Sequence, residues 1–454
     1  MNLPESFQNR MKALLGGQYP DFEQALNDPP VKGLISGVKL PAAQLAEQLP
    51  FSLNAVPYYA NGFYFSAPSP GRHPLHHAGA FYVQDPSAMA AVCSLPVQKG
   101  WRVLDCCAAP GGKSIQLGAA IGPGGLLVSN EIDRGRSRVL ASNIERMGLT
   151  NTIVTRADAG TLGQWYPDYF DFVLADAPCS GEGMFRKYPE ALADWSEGKS
   201  AACAALQKEI LQQVSACVCP GGYLLYSTCT FSPEENEAVV EDFLDRHGDF
   251  ALCQVAPVLL AYTQPGLTER TRLARRFYPH TAPGEGQFFA LLRRAGDPTG
   301  RRQTPSYANT AKPPSRQEQA VLDEFLKRNT KLDATALSVV SMGGSLWAAP
   351  VCHPVPERGT VACGVQLGMV QKGVFRPHHQ FFSAYGGQFV RQIELPADSE
   401  QAALYLSGHP LVSEGENGWC CVCIAGCPAG GGKRVDGVVK NHYPKGLRQP
   451  LLQG

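Results

Sequence analysis

Short apolar runs alternate with longer mixed segments across the middle of this chain. The apolar runs that we interpret as buried strands lie at 102–105, 126–129, 153–154, 171–175, 222–227 and 287–292. The segments that we interpret as helices lie at 112–120, 134–147, 202–218 and 233–247. The last of these begins with acids that are expected to favour its dipole, namely Glu234, Glu235 and Glu237. Because alternating strands and helices need crossover connections, the pattern predicts an α/β fold with a mostly parallel sheet.

Regions of different composition flank this middle part. Residues 4–28 predict two short helices that a proline pair ends. Residues 295–317 are polar and rich in proline, as linkers are, and the chain beyond them begins helical and continues as short strands punctuated by glycine. We therefore divide the chain into an N-terminal RNA-binding or accessory domain (1–75), an α/β domain (76–294), a linker (295–317) and a small α+β or β-barrel-like module (318–454).

Composition narrows the class of protein. The 454 residues are 44% hydrophobic and 18% charged, which suffices for about two to three domains. We find neither an apolar stretch of membrane-spanning length nor a signal-peptide pattern, so we expect a monomeric cytoplasmic protein. The fifteen cysteines are scattered through a long chain, which indicates reduced thiols rather than a disulfide framework. Because the net formal charge is zero, a nucleic-acid partner would need a local basic surface.

The loop after the first strand has the composition of a ligand site. Residues 106–114 contain small side chains and two glycines and run into a helix, whose N-terminus offers free N–H groups. The segment ends like a phosphate-binding P-loop, but Cys107 stands where that motif needs glycine, and the three-glycine spacing of a dinucleotide site is also absent. An adenosine–sulfonium ligand fits better, because it needs no phosphate-binding loop. An ordinary strand–helix turn is the remaining alternative.

Acidic residues follow three of the predicted strands. Glu131, Asp158 and Asp176 each stand just after a strand, and Glu131 follows the glycines at the distance of a ribose-binding acid. Ligands of open parallel sheets bind at the carboxyl ends of the strands. Each acid alone could be a solvated loop residue. Three acids in equivalent positions indicate one cleft, which an ordinary turn does not explain.

Two cysteines follow the fourth and fifth strands. Cys179 lies in DAPCSGEG (176–183), and Cys229 lies in YSTCTFSPEENE (226–237). Because both follow the carboxyl ends of strands that are expected to be adjacent, both thiols could face one cleft. Most cysteines in such a chain are inert core residues, whereas two in loops at a cofactor edge indicate covalent catalysis by a thiolate.

Three of these segments resemble the Sun-type family of RNA cytosine-5 methyltransferases. DCCAAPGGKS (105–114), DAPCSGEG and YSTCTFSPEENE occur in the family's order and spacing, and the likeness is strong over residues 80–294. The ending VKNHYPKGLR (439–448) looks like the C-terminal module of the bacterial small-subunit rRNA methyltransferase F group. The resemblance implies a Rossmann-like class I methyltransferase whose seven-stranded, mostly parallel sheet ends in an antiparallel strand, with a PUA-like RNA-binding module at the C-terminus.

The resemblance also implies which residues hold the cofactor and perform the chemistry. S-adenosylmethionine would contact Cys107, Ala108, Ala109, Pro110, Gly111, Gly112, Lys113, Glu131, Asp158 and Asp176. Glu131 would hold the ribose hydroxyls and Asp158 the adenine edge. Cys229 would be the nucleophile, and Cys179 would assist release of the product. Because DNA cytosine-5 enzymes place their nucleophile in the Pro-Cys motif, Cys179 as the nucleophile stays open as a rival.

The expected reaction explains why a thiolate and an acid are needed. Carbon 5 of cytosine is a poor nucleophile, and a thiolate that adds to carbon 6 activates it. Charge then develops on ring nitrogen 3, and Asp176 is our candidate to protonate or hydrogen-bond this atom. We therefore expect an RNA (cytosine-5)-methyltransferase that acts on small-subunit 16S rRNA. A tRNA enzyme of the same chemistry and a non-catalytic RNA-binding assembly factor are the alternatives.

The C-terminal segment is locally basic. His442 and Tyr443 are interspersed with cations that suit RNA backbone binding, namely Lys433, Arg434, Lys440, Lys445 and Arg448. The alternative is a solvated tail. A nearby cysteine cluster lacks the second ligand pair of a zinc site, so we expect a strand-borne core cluster and no metal at Cys420, Cys421, Cys423 and Cys427.

Overall fold

The computed structural model describes residues 1–297, 303–307, 309, 311–350, 355–356 and 358–450. Its N-terminal part begins with the two predicted helices and continues as a small sheet. The elements are α1 (Glu5–Leu15), α2 (Tyr19–Asn27), β1 (Gly33–Ser36), α3 (Ala42–Gln48), β2 (Leu53–Val56), β3 (Tyr59–Phe65), α4 (Pro74–His77) and β4 (Phe81–Val83). These strands pair antiparallel in the order β2-β3-β1-β4.

The middle of the chain alternates strands and helices, as the apolar pattern predicts. The elements are α5 (Pro86–Val92), β5 (Arg102–Asp105), α6 (Gly112–Ile121), β6 (Leu126–Asn130), α7 (Arg134–Met147), β7 (Thr152–Thr155), α8 (Ala159–Trp165), β8 (Phe170–Asp176), α9 (Pro189–Ala193), α10 (Glu197–Val214), β9 (Val218–Thr228), α11 (Glu237–Arg246), β10 (Phe250–Leu252), β11 (Gln264–Pro265), β12 (Arg275–Phe277) and β13 (Gln287–Arg294). Strands β5 to β9 pair in parallel in the order β7-β6-β5-β8-β9. The antiparallel pairing of β13 with β9 confirms the expected last strand.

The central sheet is covered by helices on both faces. Helices α5, α6 and α7 contribute to the hydrophobic cluster on one face, and α8, α10 and α11 to the cluster on the other. Every residue of β6 and β7 is buried in consequence. This is why these strands are continuous apolar runs rather than alternating patterns. The arrangement is the predicted Rossmann-like α/β fold.

The boundaries of α10 and α11 differ from the sequence prediction, and α10 begins at Glu197 rather than at 202. Helix α10 ends at Val214 rather than at 218, because Val218 is already the first residue of β9 and pairs with Phe170 of β8. Helix α11 begins at Glu237 rather than at 233. The residues between Cys229 and Glu237 therefore form a loop, and their side chains are free to bind elsewhere.

The C-terminal part is an α+β region, as predicted. Its elements are α12 (Arg316–Asn329), β14 (Val339–Met342), β15 (Ser345–Ala348), β16 (Thr360–Cys363), β17 (Val365–Gln371), β18 (Val374–Pro377), α13 (His379–Tyr385), β19 (Gln392–Leu395), α14 (Glu400–Leu406), β20 (Leu411–Val412), β21 (Gly418–Ile424), β22 (Cys427–Val435) and β23 (Val438–Asn441). Two sheets form in the orders β14-β15-β17-β18 and β19-β21-β22-β23-β20. The four clustered cysteines lie on β21 and β22 and are buried among apolar residues.

The central sheet has ten strands among the described residues, where the resemblance predicts seven. Short strands β10, β11 and β12 extend the edge beyond β9. At the opposite edge, β16 from the C-terminal region pairs antiparallel with β7. An edge strand presents unpaired backbone groups that another segment can satisfy, which accounts for the additional strands. In the described part of the chain, every helix is too short or too polar to cross a membrane.

Candidate active site

A cavity of about 460 Å³ opens at the carboxyl ends of β5 to β9. We call the part formed by the loops after β5, β6 and β7 the cofactor half, and the part formed by the loops after β8 and β9 the thiol half. The predicted residues that line the cavity are Cys107, Ala109, Glu131, Asp158, Asp176, Cys179 and Cys229. The other predicted cofactor residues belong to the first loop and the start of α6 without forming its wall, namely Ala108, Pro110, Gly111, Gly112 and Lys113.

The loop between β5 and α6 owes its shape to two glycines and one arginine. Gly111 has a φ of 119°, a left-handed conformation that residues with side chains rarely adopt. A Cβ atom on Gly112 would lie 2.9 Å from the side-chain carbon Cδ of Gln84. Arg136 on α7 donates from Nη2 to the carbonyl oxygen of Ala109 at 3.0 Å. The loop is thus held from behind, and its backbone can be approached closely from the cavity.

The two acids of the cofactor half are held by neighbours close in sequence. Glu131 is only 3% exposed, and its Oε1 accepts a hydrogen bond from the backbone N–H of Asp133 at 3.0 Å. Asp158 caps α8 by accepting from the backbone N–H and the hydroxyl of Thr161, both at 2.8 Å. These hydrogen bonds lower the pKa of Asp158. The cofactor half therefore offers an ionised carboxylate beside α8 and a buried carboxylate after β6.

Sequence reasoning missed several residues of the cofactor half. Asn130 donates to two backbone carbonyl oxygens at 3.0 and 2.9 Å and accepts from the N–H of Ala157 at 2.9 Å, so it joins three strand ends. Ile132 is 64% exposed and forms an apolar wall, and α10 contributes Leu206 and Ile210 to the lining. An isoleucine directly after a strand-end acid is the sequence pattern that could have predicted an apolar contact for an aromatic ring of the ligand.

Asp176 lies between the two halves and is held by two donors. Lys113 forms an ion pair with it, with Nζ 2.8 Å from Oδ2, and Gln287 on β13 donates to Oδ1 at 3.4 Å. Burial alone would lower the pKa of Lys113, but attraction to Asp176 and to Cys229 outweighs burial and raises it. Lys113 therefore carries a proton beside the thiol half. The cofactor contact that the resemblance implies for Lys113 stays a prediction.

The two predicted thiols are in contact. The Sγ atoms of Cys179 and Cys229 are 3.2 Å apart. The hydrogen bond to Cys229, followed by burial, raises the pKa of Cys179 well above its usual range. Cys179 is therefore a neutral thiol that can donate its proton to the sulfur of Cys229.

Each cysteine loop is fixed by a buried glutamate from the other loop. Glu182, three residues beyond Cys179, accepts at Oε2 from the backbone N–H of Phe231 at 3.0 Å. Glu235, beyond Cys229, accepts at Oε2 from the backbone N–H of Ser180 at 2.9 Å. Both side chains are fully buried. We call Glu182 and Glu235 the reciprocal glutamates. The sequence predicted that Glu235 lies within α11 and favours the dipole of that helix, but Glu235 precedes the helix and binds Ser180 instead.

Further buried ion pairs support this half of the cavity. The second oxygen of Glu182 accepts from Arg10 of α1 at 2.5 Å and from the indole N–H of Trp195 at 2.9 Å. Arg276 of β12 forms a buried bidentate pair with Glu237, the first residue of α11. Sequence reasoning missed Arg10 and Arg276, because their partners are distant in the chain.

The predicted RNA-binding cations do not all reach the surface. The exposed ones are Lys433, Lys440, Lys445 and Arg448. Arg434 is only 6% exposed and donates to the hydroxyl of Ser413 at 3.0 Å. Successive residues of a strand point to opposite faces, so Lys433 can point outward only if Arg434 points inward. The structure therefore corrects the prediction for Arg434.

This arrangement of sheet and cavity is that of a class I methyltransferase, whose cofactor is S-adenosylmethionine. Profiles described as "16S rRNA methyltransferase RsmB/F", "N-terminal domain of 16S rRNA methyltransferase RsmF" and "Methyltransferase RsmF PUA domain" match residues 92–293, 3–86 and 392–449. The chain belongs to the RsmF group of the Sun-type RNA methyltransferase family.

Full-length relatives and solved structures agree with this assignment. The chain is 32% identical over 469 residues to ribosomal RNA small subunit methyltransferase F of Vibrio cholerae, with 98% of each chain covered. The same enzyme of Vibrio vulnificus is 29% identical over 464 residues, with 98% of this chain and 97% of the relative covered. A methyltransferase homologue from Pyrococcus horikoshii is 28% identical with a TM-score of 0.57, over 64% of this chain and 95% of that chain. NSun6 from the same organism, solved with SFG, shares the fold at 21% identity and a TM-score of 0.58, over 65% and 99% of the chains.

Proposed function

We propose that this chain transfers a methyl group from S-adenosylmethionine to carbon 5 of a cytidine in small-subunit ribosomal RNA, with Cys229 as the nucleophile. The observation that carries the proposal is the contact of two thiols at 3.2 Å, at one cavity with the Lys113–Asp176 ion pair. The relatives that match along the full chain carry small-subunit ribosomal RNA in their names, which supports the same target here.

The residues of the cofactor half fit S-adenosylmethionine. A cavity of about 460 Å³ lies in the size range of small-ligand sites. In our proposal Glu131 accepts hydrogen bonds from the ribose hydroxyls, Asp158 accepts from the adenine amino group, and Ile132 packs against the adenine ring. The backbone of residues 107–113 surrounds the rest of the ligand. When bound, the cofactor supplies an electrophilic methyl group.

Cys229 activates the base by covalent addition. Its thiolate forms a bond to carbon 6 of cytosine, and the electron pair of the 5,6 double bond becomes available at carbon 5. Ring nitrogen 3 takes up a proton as charge develops on it, and Asp176, protonated from solvent for this step, donates that proton and is left as a carboxylate. Lys113, whose raised pKa keeps it positively charged, stabilises this carboxylate through the ion pair.

Cys179 assists the release of the product. After methyl transfer a proton passes from carbon 5 to solvent water, the electron pair of that bond restores the 5,6 double bond, the bond between carbon 6 and sulfur breaks, and ring nitrogen 3 returns its proton to Asp176. Cys229 departs as a thiolate, and a hydrogen bond from the neutral thiol of Cys179 stabilises it. The position of Cys229 in the YSTCTFSPEENE segment, where the family resemblance implies the nucleophile, supports this assignment over the rival in which Cys179 is the nucleophile.

Separate substitution of the two cysteines tests the assignment. We expect Cys229→Ala to lose more than about a thousandfold in rate and to form no covalent adduct with RNA. Cys179→Ala should accumulate a covalent RNA–protein species on a denaturing gel. Cys253→Ala is the matched control, because this partly buried cysteine directly follows β10 and does not line the active-site cavity. The opposite pattern for the first two variants would make Cys179 the nucleophile.

The RNA target is tested by mapping bisulfite-resistant cytidines in cells with and without the protein. We expect at least one position in 16S rRNA to become sensitive when the protein is absent. A change confined to tRNA would replace the ribosomal target by the tRNA alternative. Unchanged RNA combined with an absence of methyl transfer in vitro would favour the non-catalytic assembly factor.

The same proposal assigns the regions of the chain. The N-terminal domain (1–75) and the C-terminal region (318–454) would bind RNA on either side of the methyltransferase domain (76–294), with 295–317 as a linker. Because the catalytic thiols must stay reduced, the reducing cytoplasm suits the enzyme. A monomer suffices, since one chain supplies every residue that the proposed mechanism uses.

A further inference from the structure

A second cavity of about 310 Å³ lies in the C-terminal region. Helix α12 forms one side, and β21 and β22 form the other, with Phe325, Val374, Trp419 and Lys433 in its lining. None of the described residues that line it belongs to the lining of the active-site cavity. The methyl-transfer mechanism makes no use of this groove.

An aromatic ring and two lysines form one row beside the groove. Trp419 of β21 lies opposite Lys433 of β22, which lies opposite Lys440 of β23. Residues directly opposite one another point to the same face of a sheet. The Nζ atom of Lys433 is 5.8 Å from the centre of the Trp419 ring, which is a cation–π contact. Trp419 is half-buried, and Phe382 fixes its orientation with ring centres 6.0 Å apart.

Further cations converge on the same face. The ring of His442 lies 4.7 Å from that of Trp419. Burial, followed by repulsion from Lys440, Lys433 and Arg376, lowers the pKa of His442. The histidine is therefore neutral at pH 7, and three positive side chains lie close enough to act on it.

Lys433, Lys440 and Arg376 have no acidic partner among the residues that the structure describes. Among the described residues, the salt bridges of this region join Arg391 to Glu416 and His378 to Glu145, and none involves Lys433, Lys440 or Arg376. Glu324 is the acid that lines the groove in the described chain, and it is exposed on α12. An aromatic platform next to unneutralised cations has the composition of a site for single-stranded nucleic acid.

We propose that this groove binds one unpaired nucleotide of the substrate RNA, with its base stacked on Trp419 and its neighbouring phosphates on Lys433, Lys440 and Arg376. The site lies outside the reactive cavity and contributes affinity rather than chemistry. A base in a duplex cannot present its flat face to a side chain, so the occupant is a single-stranded segment. The inference rests on the proposed function only in taking RNA as the substrate.

Binding of fluorescein-labelled decauridine, measured by fluorescence anisotropy on the full chain, tests the site. We expect Trp419→Ala to weaken this binding by about five- to a hundredfold, the range found for loss of one stacked base. Trp419→Phe should recover most of the affinity. Lys433→Gln and Lys440→Gln, which remove exposed charges and leave the core intact, should each weaken binding and lower the salt dependence by about one released ion. Lys99→Gln is the control, because this exposed lysine precedes β5 at the end of the sheet opposite the active-site cavity and lines neither cavity.

Two further measurements separate the possible failures. With protein-free 16S ribosomal RNA as the methyl acceptor, the Trp419 and lysine variants should raise KM and leave kcat unchanged. If Trp419→Ala weakened the binding of a duplex RNA of the same length as much as the binding of decauridine, the proposed stacking site would be wrong. Unchanged decauridine binding in Trp419→Ala, Lys433→Gln and Lys440→Gln would also overturn the proposed site, even if methyl transfer proceeds normally. If the variants lost decauridine binding while the wild-type protein methylated no RNA, the binding site would be upheld and the proposed function would be refuted.

Discussion

The two halves of the active-site cavity use carboxylates in opposite ways. In the cofactor half, Glu131 and Asp158 line the cavity, and each accepts a hydrogen bond from a residue two or three positions further along the chain. In the thiol half, the reciprocal glutamates are fully buried and accept backbone N–H groups of the opposite loop. In our proposal acids of the first kind bind the cofactor, whereas acids of the second kind hold the two cysteine loops together.

This difference separates the parts of the site that form locally from those that need the assembled fold. A strand-end acid and the helix cap beside it can form within one strand–helix turn. The reciprocal glutamates join residues 49 and 55 positions apart, and Arg10 connects one of them to the N-terminal helix α1. The contact between Cys179 and Cys229 therefore depends on three parts of the chain. Substitutions in the two halves should consequently have different kinetic signatures.

Among substitutions of these carboxylates, the largest effect is expected for Glu182→Gln. Both carboxylate oxygens of Glu182 accept hydrogen bonds, so the NH2 group of glutamine would face a donor in place of one of these acceptors. The loop that carries Cys229 would shift in consequence. Because a displacement of about 1 Å can cost about a hundredfold in rate, we expect kcat to fall by about that factor. The affinity for cofactor, measured by calorimetry, should stay within about twofold.

Glu190→Gln, an exposed change on the nearby helix α9, is the matched control and should leave both quantities unchanged. A Glu182→Gln variant that keeps its kcat but loses cofactor affinity would contradict the division into two halves. Loss of both quantities together with a large drop in melting temperature would show that the glutamate serves the whole domain instead.

A smaller effect, of the opposite kind, is expected for Glu131→Gln. Loss of a charged acceptor costs about 1.5–3 kcal/mol, so the cofactor KM should rise by about ten- to a hundredfold. At saturating cofactor, kcat should stay within about threefold of the wild type, since the thiol half is untouched. Glu209→Gln tests the same cavity from α10, where the acid is exposed and hydrogen-bonded to Gln213. Equal losses in both variants would mean that overall negative charge, rather than the position of Glu131, attracts the ligand.

The same division explains how much the sequence could predict. Apolar runs and the strand-end positions of Glu131 and Asp176 are local patterns, and they predicted the α/β fold and the edge at which the ligand site lies. The positions of the two cysteines at this edge were predicted as well, because each lies within three residues of the end of a strand. Their 3.2 Å contact also needed the parallel pairing of β8 with β9, which sets Asp176 beside Ser227.

What the sequence did not reveal depends on contacts between distant segments. Glu235 precedes a helix and was interpreted as a dipole partner, whereas its acceptor role needs Ser180 from another loop. The addition of β16 to the central sheet likewise joins residues about 200 positions apart. Arg434 is the exception, since strand alternation alone would have assigned it to the face opposite Lys433.

The smallest effect is expected for Asp158→Asn. Asp158 is exposed, and asparagine is nearly as good a helix cap as aspartate, so cofactor affinity should fall by less than about tenfold and stability by a few tenths of a kcal/mol. The lowered pKa means that the carboxylate stabilises the fold above its unfolded-state pKa, and that this contribution is lost as pH falls through the folded-state pKa. The gap in melting temperature between wild type and variant should therefore stay constant from pH 7 to about pH 5 and narrow as the pH falls below about 4, the usual pKa of an aspartate. A gap that widens on acidification would mean that the protonated form of Asp158 is the one that the fold prefers, and that the hydrogen bonds from Thr161 do not hold a carboxylate.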